Sequence, residues 1–184
     1  MATGWAQADG RWYLFSGSGA MLTGWQQVGG SWYWLGGSGA MATGWARVGS
    51  SWYWFGDSGA MATGWAQADG SWYWLGSDGA MRTGWQRVGG PWYWFGSDGA
   101  MVTGFAEVTG TRYHFADSGA MSAGWFEEGG EWYYANGSGA VLSSRWVGNY
   151  YLLPDGRMAT DQWVGDYYVG TNGAWVPDAR RDAA

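Results

Sequence analysis

Residues 59–76 read GAMATGWAQADGSWYWLG. Residues 39–56 read GAMATGWARVGSSWYWFG, and residues 99–116 read GAMVTGFAEVTGTRYHFA. The three stretches keep one order: Gly-Ala-Met, then a Gly-aromatic pair, then a turn, then an aromatic run. Gly-Trp recurs every 20 residues at Trp5, Trp25, Trp45, Trp65, Trp85 and Trp125, with Phe105 in the sixth slot. Trp-Tyr recurs from Trp12-Tyr13 to Trp132-Tyr133, with Arg112-Tyr113 in the sixth slot. Gly-Ala-Met ends at Met21, Met41, Met61, Met81, Met101 and Met121. A fixed period of this length specifies an array in which each unit packs mainly on its neighbours.

One unit folds readily on paper. Thr63 to Ala68 forms a short strand. Asp69-Gly70 is a turn pair that accepts positive φ, and Ser71 to Leu75 forms the return strand. Gly76 to Ala80 carries the chain to the next hairpin. Glycines recur too often for helices. Alternation then puts Trp72 and Trp74 on one face and Tyr73 and Leu75 on the other. The middle tyrosines Tyr33, Tyr53, Tyr73 and Tyr93 read as packing residues. A lone hairpin is marginal in water, so the units must stack. The fold class expected is all-β, a β-solenoid of stacked two-stranded hairpins.

The composition agrees. The 184 residues include 19 Trp, 12 Tyr and 36 Gly, with no Ile and no Cys. Packing must therefore be ring on ring. Only 13% of residues are charged and the net charge is −6, which argues against nucleic acid and against anionic lipid surfaces. No apolar run is long enough to span a bilayer, so no membrane insertion is expected. The lack of cysteine fits a reducing compartment and equally a bacterial surface. The chain opens in mid-repeat at Met1-Ala2-Thr3-Gly4-Trp5, as a module of a longer protein would.

After residue 141 the period shortens. Trp146 and Trp163 are 17 apart, as are Tyr150-Tyr151 and Tyr167-Tyr168. The organisation expected is seven full units over 1–141, two shortened units over 142–176 as a C-terminal cap, and a disordered tail over 177–184. Trp175-Val176 is the last packed pair.

The stretch TGWARVGSSWYWFGDSGAMATGW at 43–65 resembles the choline-binding repeats of bacterial cell-wall-binding proteins. Related repeats occur in streptococcal glucan-binding domains and in the C-terminal repeats of clostridial toxins. The resemblance covers residues 3–141 and continues in degraded form to about 176. It implies a left-handed superhelix with ligand cages between consecutive hairpins. Each cage takes two aromatics from one repeat and one from the next, with a methionine nearby. Carried onto this chain, the cages are Trp5, Trp12 and Trp34; Trp25, Trp32 and Trp54 with Met41; Trp45, Trp52 and Trp74 with Met61; and Trp65, Trp72 and Trp94 with Met81.

The chemistry of such a cage stands apart from the family. A quaternary ammonium donates no hydrogen bond and is best held by ring faces. One site is weak; many along a rod suit a repeating polymer. The cage after Trp85 and Trp92 looks to His114. The next begins with Phe105 and Arg112, whose guanidinium repels a cation, so that site is expected to be dead. The Trp125/Trp132 site looks to Leu152 and is expected to be weak or absent.

Other chemistry is poorly supplied. His114 is the sole histidine and no motif gives it a nucleophile partner. Asp9, Asp57, Asp69, Asp78, Asp98 and Asp117 are spaced as turn formers, without the multi-Asp loop that calcium needs. Glu127, Glu128 and Glu131 stand on a small hairpin with no cleft wall for glycoside chemistry. No enzyme, metal or cofactor is expected. Three readings remain open. One is a secreted or cell-surface module binding choline or phosphocholine of teichoic acid. Another reads a cell-surface glycan such as an α-glucan. The third is a spacer without ligand.

Overall fold

The computed structural model describes residues 2–180. The end of the expected tail, 181–184, lies outside the described residues. Among the described residues every regular element is a strand, and the strands pair in sequence order as two-stranded antiparallel sheets. The first four hairpins are Gly4–Ala8 with Arg11–Phe15, Gly24–Val28 with Ser31–Leu35, Gly44–Val48 with Ser51–Phe55, and Gly64–Ala68 with Ser71–Leu75. The fifth is Gly84–Arg87 with Trp92–Phe95. The sixth and seventh are Gly104–Val108 with Thr111–Phe115 and Gly124–Glu128 with Glu131–Ala135. The eighth and ninth shorten to three residues per strand, Arg145–Val147 with Tyr150–Leu152 and Gln162–Val164 with Tyr167–Val169. The fold is a β-solenoid of hairpins, as the 20-residue period requires.

Each hairpin closes as the turn chemistry dictates. Ala68 faces Ser71 in register, leaving Asp69 and Gly70 as a two-residue loop at φ 50° and 81°. Positive φ at both positions matches the twist of the flanking strands.

Neighbouring hairpins are tied by backbone as well as rings. The Met61 N–H donates to the Trp32 carbonyl at 2.7 Å, and the Met81 N–H to the Trp52 carbonyl at 2.8 Å. The Met121 N–H reaches the Trp92 carbonyl in the same way, at 2.8 Å. Each bond spans a full repeat and fixes the register of one hairpin on the next, which no isolated hairpin could do.

The chain divides into two compact units, Met1–Gln86 with Phe95–Met101 and Arg87–Trp94 with Val102–Ala184. Each builds its own core in the same way. From the second hairpin on, the last residue of the return strand is fully buried: Leu35, Phe55, Leu75 and Phe95 in the first unit, and Phe115, Ala135, Leu152 and Val169 in the second. In the first unit Trp25 of the second hairpin packs on Phe55 of the third at 5.8 Å between ring centroids. Phe55 shares its strand face with Tyr53, whereas Trp25 shares its face with Trp32 and Trp34. The Trp face of one hairpin therefore meets the Tyr/Phe face of the next.

Candidate functional site

This stacking decides which rings can meet. Trp25 and Trp32 stand at 6.2 Å and 89°, two walls of a corner. The third wall is Tyr53, at 5.0 Å and 71° from Trp25. Met61, Ser77 and Asp78 complete a cavity of about 330 Å³. It draws on three consecutive repeats. A second cavity of about 310 Å³ is lined by Trp45, Trp52, Tyr73, Met81, Asp69, Ser97 and Asp98, with Trp45 and Tyr73 at 4.8 Å and 70°. A third, in the second unit, encloses about 340 Å³ between Trp125, Trp132, Tyr150, Met158 and Asn172. There Trp125 and Tyr150 stand at 5.1 Å and 71°.

The sequence expectation placed Trp54 and Trp74 in the positions that Tyr53 and Tyr73 take. Trp54 instead turns onto Trp45 of its own hairpin at 5.2 Å, and Trp74 onto Trp65 at 5.3 Å. The reason is parity. Trp54 lies on the face that looks onward to the next hairpin, so it cannot look back at Trp25. The first cage follows the same rule. Trp5 meets Tyr33 at 5.0 Å, while Trp34 packs on Trp25 at 5.3 Å. Trp65 and Trp72 form their corner at 6.2 Å and 90°; Trp94 belongs to the second compact unit. The methionines are displaced by one repeat. Met41 donates its N–H to Trp12, Met61 lines the Trp25/Trp32 cavity, and Met81 lines the Trp45/Trp52 cavity.

A glycine sets the methionine wall. A Cβ on Gly79 would lie 2.3 Å from the Met61 sulfur, and Gly79 has φ 78°. Only glycine lets the connection close over the thioether at this backbone conformation. That close approach carries Ser77 and Asp78 to the cavity rim.

The Trp25/Trp32 and Trp125/Trp132 cages differ at the rim. Asp78 accepts from the Ala80 N–H at 3.0 Å and from Arg82 at 2.8 Å. Partial desolvation works to raise the Asp78 carboxyl, but these bonds outweigh it and hold it below the ordinary 3.8. The Trp125/Trp132 rim carries the neutral Asn172 instead.

A large part of the Trp set is not core. Trp12, Trp32, Trp52, Trp72, Trp92 and Trp132 are each 41–44% exposed. A large ring left this open repeat after repeat is a wall facing solvent rather than packing.

The remaining expected positions fall elsewhere. Leu152 is fully buried and lines no part of the Trp125/Trp132 cavity; Tyr150 does. His114 is buried against Phe126 at 4.2 Å and Phe105 at 5.0 Å. Its ring nitrogens bond the Ser122 hydroxyl at 2.8 Å and the Glu128 carboxylate at 3.3 Å. It is a satisfied interior group rather than a cage wall. Arg112 lies over the Phe105 ring at 3.8 Å.

The sequence reading did not select Tyr53, Tyr73, Tyr150, Met158, Asp98 or Asn172. The signal was present in the alternation: if Trp faces point forward, the facing wall must come from the opposite parity.

Known proteins share these repeats and this fold. The choline-binding repeat family matches residues 2–44, 42–83 and 102–146, and a second choline-binding repeat description matches 140–175. A putative cell wall binding repeat matches 83–101. No match is found among curated protein sequences. Among solved structures, choline binding protein F of Streptococcus pneumoniae, crystallised with a peptidoglycan analogue, is 39% identical over 95% of this chain and 58% of its own, with TM-score 0.71. The choline-binding domain of CbpL from the same organism is 34% identical over 98% of this chain and 100% of its own, with TM-score 0.70. The autolysin LytC of that organism matches over 95% of this chain but 42% of its own, at 25% identity and TM-score 0.70. The chain thus spans little more than half of choline binding protein F. Repeat matches along nearly the whole sequence, together with a common fold, place this chain in the choline-binding repeat family.

Proposed function

We propose that the chain is a non-catalytic module that holds a bacterial cell-wall polymer by its choline or phosphocholine groups, with one group in each aromatic cage. The observation that carries this is the corner itself. Three cavities present Trp, Trp and Tyr with a methionine, and in each the leading Trp stands nearly perpendicular to the Tyr. A compact cation without N–H donors is held on several ring faces at once. A flat sugar ring needs one open platform, which a right-angled corner does not offer. Among the described residues no Lys, Arg or His lines any of the three cavities.

The energetics fit a polymer. Each ring face contributes about 0.5–2 kcal/mol. A single cage therefore reaches a Kd of about 1 mM. Several cages engaging one repeating chain gain roughly 10²–10⁴ by avidity. The choline-binding domain of CbpL and the peptidoglycan-analogue structure of choline binding protein F support a ligand of the cell wall. Secretion to the cell surface follows from that ligand.

Tryptophan fluorescence titrated with choline tests the reading. A saturable change at millimolar choline, with retention on a quaternary-amine resin that free choline releases, is expected. A flat titration together with capture by dextran would replace choline with a glycan.

A further inference from the structure

The sixth joint has the same corner with a different occupant. Phe105 and Tyr133 stand at 4.9 Å and 66°, matching Trp25 and Tyr53 at 5.0 Å and 71°. Val141 takes the methionine position, donating its N–H to the Arg112 carbonyl at 2.8 Å as Met61 does to Trp32. Arg112 stands in the register of the second Trp: it faces Glu107 across its hairpin as Trp32 faces Gln27. The residue is exposed, as Trp32 is, but its guanidinium lies over the rings. The carbon lies 3.8 Å from the Phe105 centroid and 5.9 Å from that of Tyr133.

We propose that Arg112 is a built-in ligand: its guanidinium fills the sixth cage in place of an external ammonium and holds that joint together without one. This inference deepens the cage reading above and rests on the same corner geometry. The decisive detail is what the guanidinium avoids. Glu107 lies directly opposite in the hairpin, yet among the described residues no carboxylate lies within ion-pair distance of Arg112. The cation is on ring faces, where a bound ammonium would be. One N–H donates to the Asp155 carbonyl at 2.7 Å, a residue in the connection after the eighth hairpin. The side chain thereby spans the sixth, seventh and eighth repeats, as the residues of the Trp25/Trp32 cavity span three. Removing it should leave an open site for a small organic cation between Phe105, Tyr133, Val141 and the Asp155 carbonyl.

Thermal unfolding of the full chain tests this, comparing the parent with R112A, R112K, R112Q and L152A. R112A should lower Tm by roughly 3–6 °C. Tetramethylammonium chloride at tens of millimolar should then restore more of that loss than sodium chloride at equal ionic strength. L152A, destabilised in the core of the same unit, should recover no more than the parent does. Recovery of L152A equal to that of R112A, or no recovery of R112A, overturns the proposal. If R112A does not fold, R112K and R112Q decide: R112K close to the parent with R112Q well below supports a cation on the rings, and equal values overturn it. The parent's own fluorescence response to tetramethylammonium reports on the open cages. A silent parent beside a rescued R112A would sink the choline reading and keep this one. A responsive parent beside an unrescued R112A would do the reverse.

Discussion

The Trp25/Trp32/Tyr53 cage and the Trp125/Trp132/Tyr150 cage enclose almost the same volume, about 330 and 340 Å³, from repeats of different length. In the first, the Tyr comes from a hairpin with five-residue strands; in the second, from one with three-residue strands. The missing residues are removed ahead of the Tyr, from the turn-side ends of both strands: the pairs Arg47/Trp52 and Val48/Ser51 have no counterpart, and the two-residue turn stays. The segment after the Tyr is kept. The Met158 N–H donates to Trp132 at 2.7 Å, as the Met61 N–H does to Trp32. Gly173 has φ 79°, and a Cβ there would lie 2.5 Å from Met158, just as Gly79 meets Met61. The comparison teaches that the array preserves the segment from the Tyr to the methionine bridge rather than a residue count.

The strongest test of that equivalence is at the two glycines. G79V and G173V each force a β-branched residue into positive φ and into the methionine wall. Each should cost about 2–4 kcal/mol of stability. Chemical denaturation measures it, and the two losses should agree within about 1 kcal/mol. A large cost at Gly79 with none at Gly173 would break the comparison, since the short repeat would then close its cage in some other way.

The walls come next. Removing the third ring by Y53A or Y150A should weaken the affected cage by roughly 2–30-fold, the worth of one ring face. Calorimetric titration with choline should lose about one site in either variant. W54A tests the face assignment, since Trp54 packs on Trp45 and lines no part of the Trp25/Trp32 cavity. That cage should keep its affinity in W54A. Its loss there, with retention in Y53A, would return the third wall to Trp54.

The same geometry explains how much was legible in the sequence. The hairpins, their turns and their order were written in the period, because Asp69-Gly70 and its equivalents leave the backbone little choice. That Trp25 and Trp32 belong to one hairpin and one face was legible too. The third wall was not, because adding 20 to a residue number preserves the face, whereas stacking reverses it. Matching the third place of Trp52-Tyr53-Trp54 to that of Tyr150-Tyr151-Leu152 likewise pointed to Leu152, which is core, whereas Tyr150 lines the cavity. Arg112 was readable as a substitution that closes a site. Its residence on Phe105 was not, because the carbonyl that anchors it comes from Asp155, two hairpins onward.

The smallest expected difference between the two cages is electrostatic, and pH exposes it. Asp78 rims the first cage and Asn172 the second. The Asp78 carboxyl is held below its ordinary 3.8, since its bonds to the Ala80 N–H and Arg82 outweigh the desolvation that would raise it. A carboxylate with a depressed value is fully charged above the ordinary value and loses its charge only as pH falls through the depressed one. The first cage should therefore keep its cation affinity from neutral pH down to about pH 4 and weaken below it, while the second stays level through the same range. The change should not exceed a few-fold, because the charge is exposed, shared with Arg82 and screened by salt. D78N should flatten the acid limb of the first cage, and N172D should create one in the second. Choline titrations of these two variants between pH 3 and pH 7, at low and high salt, measure it. An acid limb that survives D78N would place the titrating group elsewhere in the array and would leave the two rims electrostatically alike.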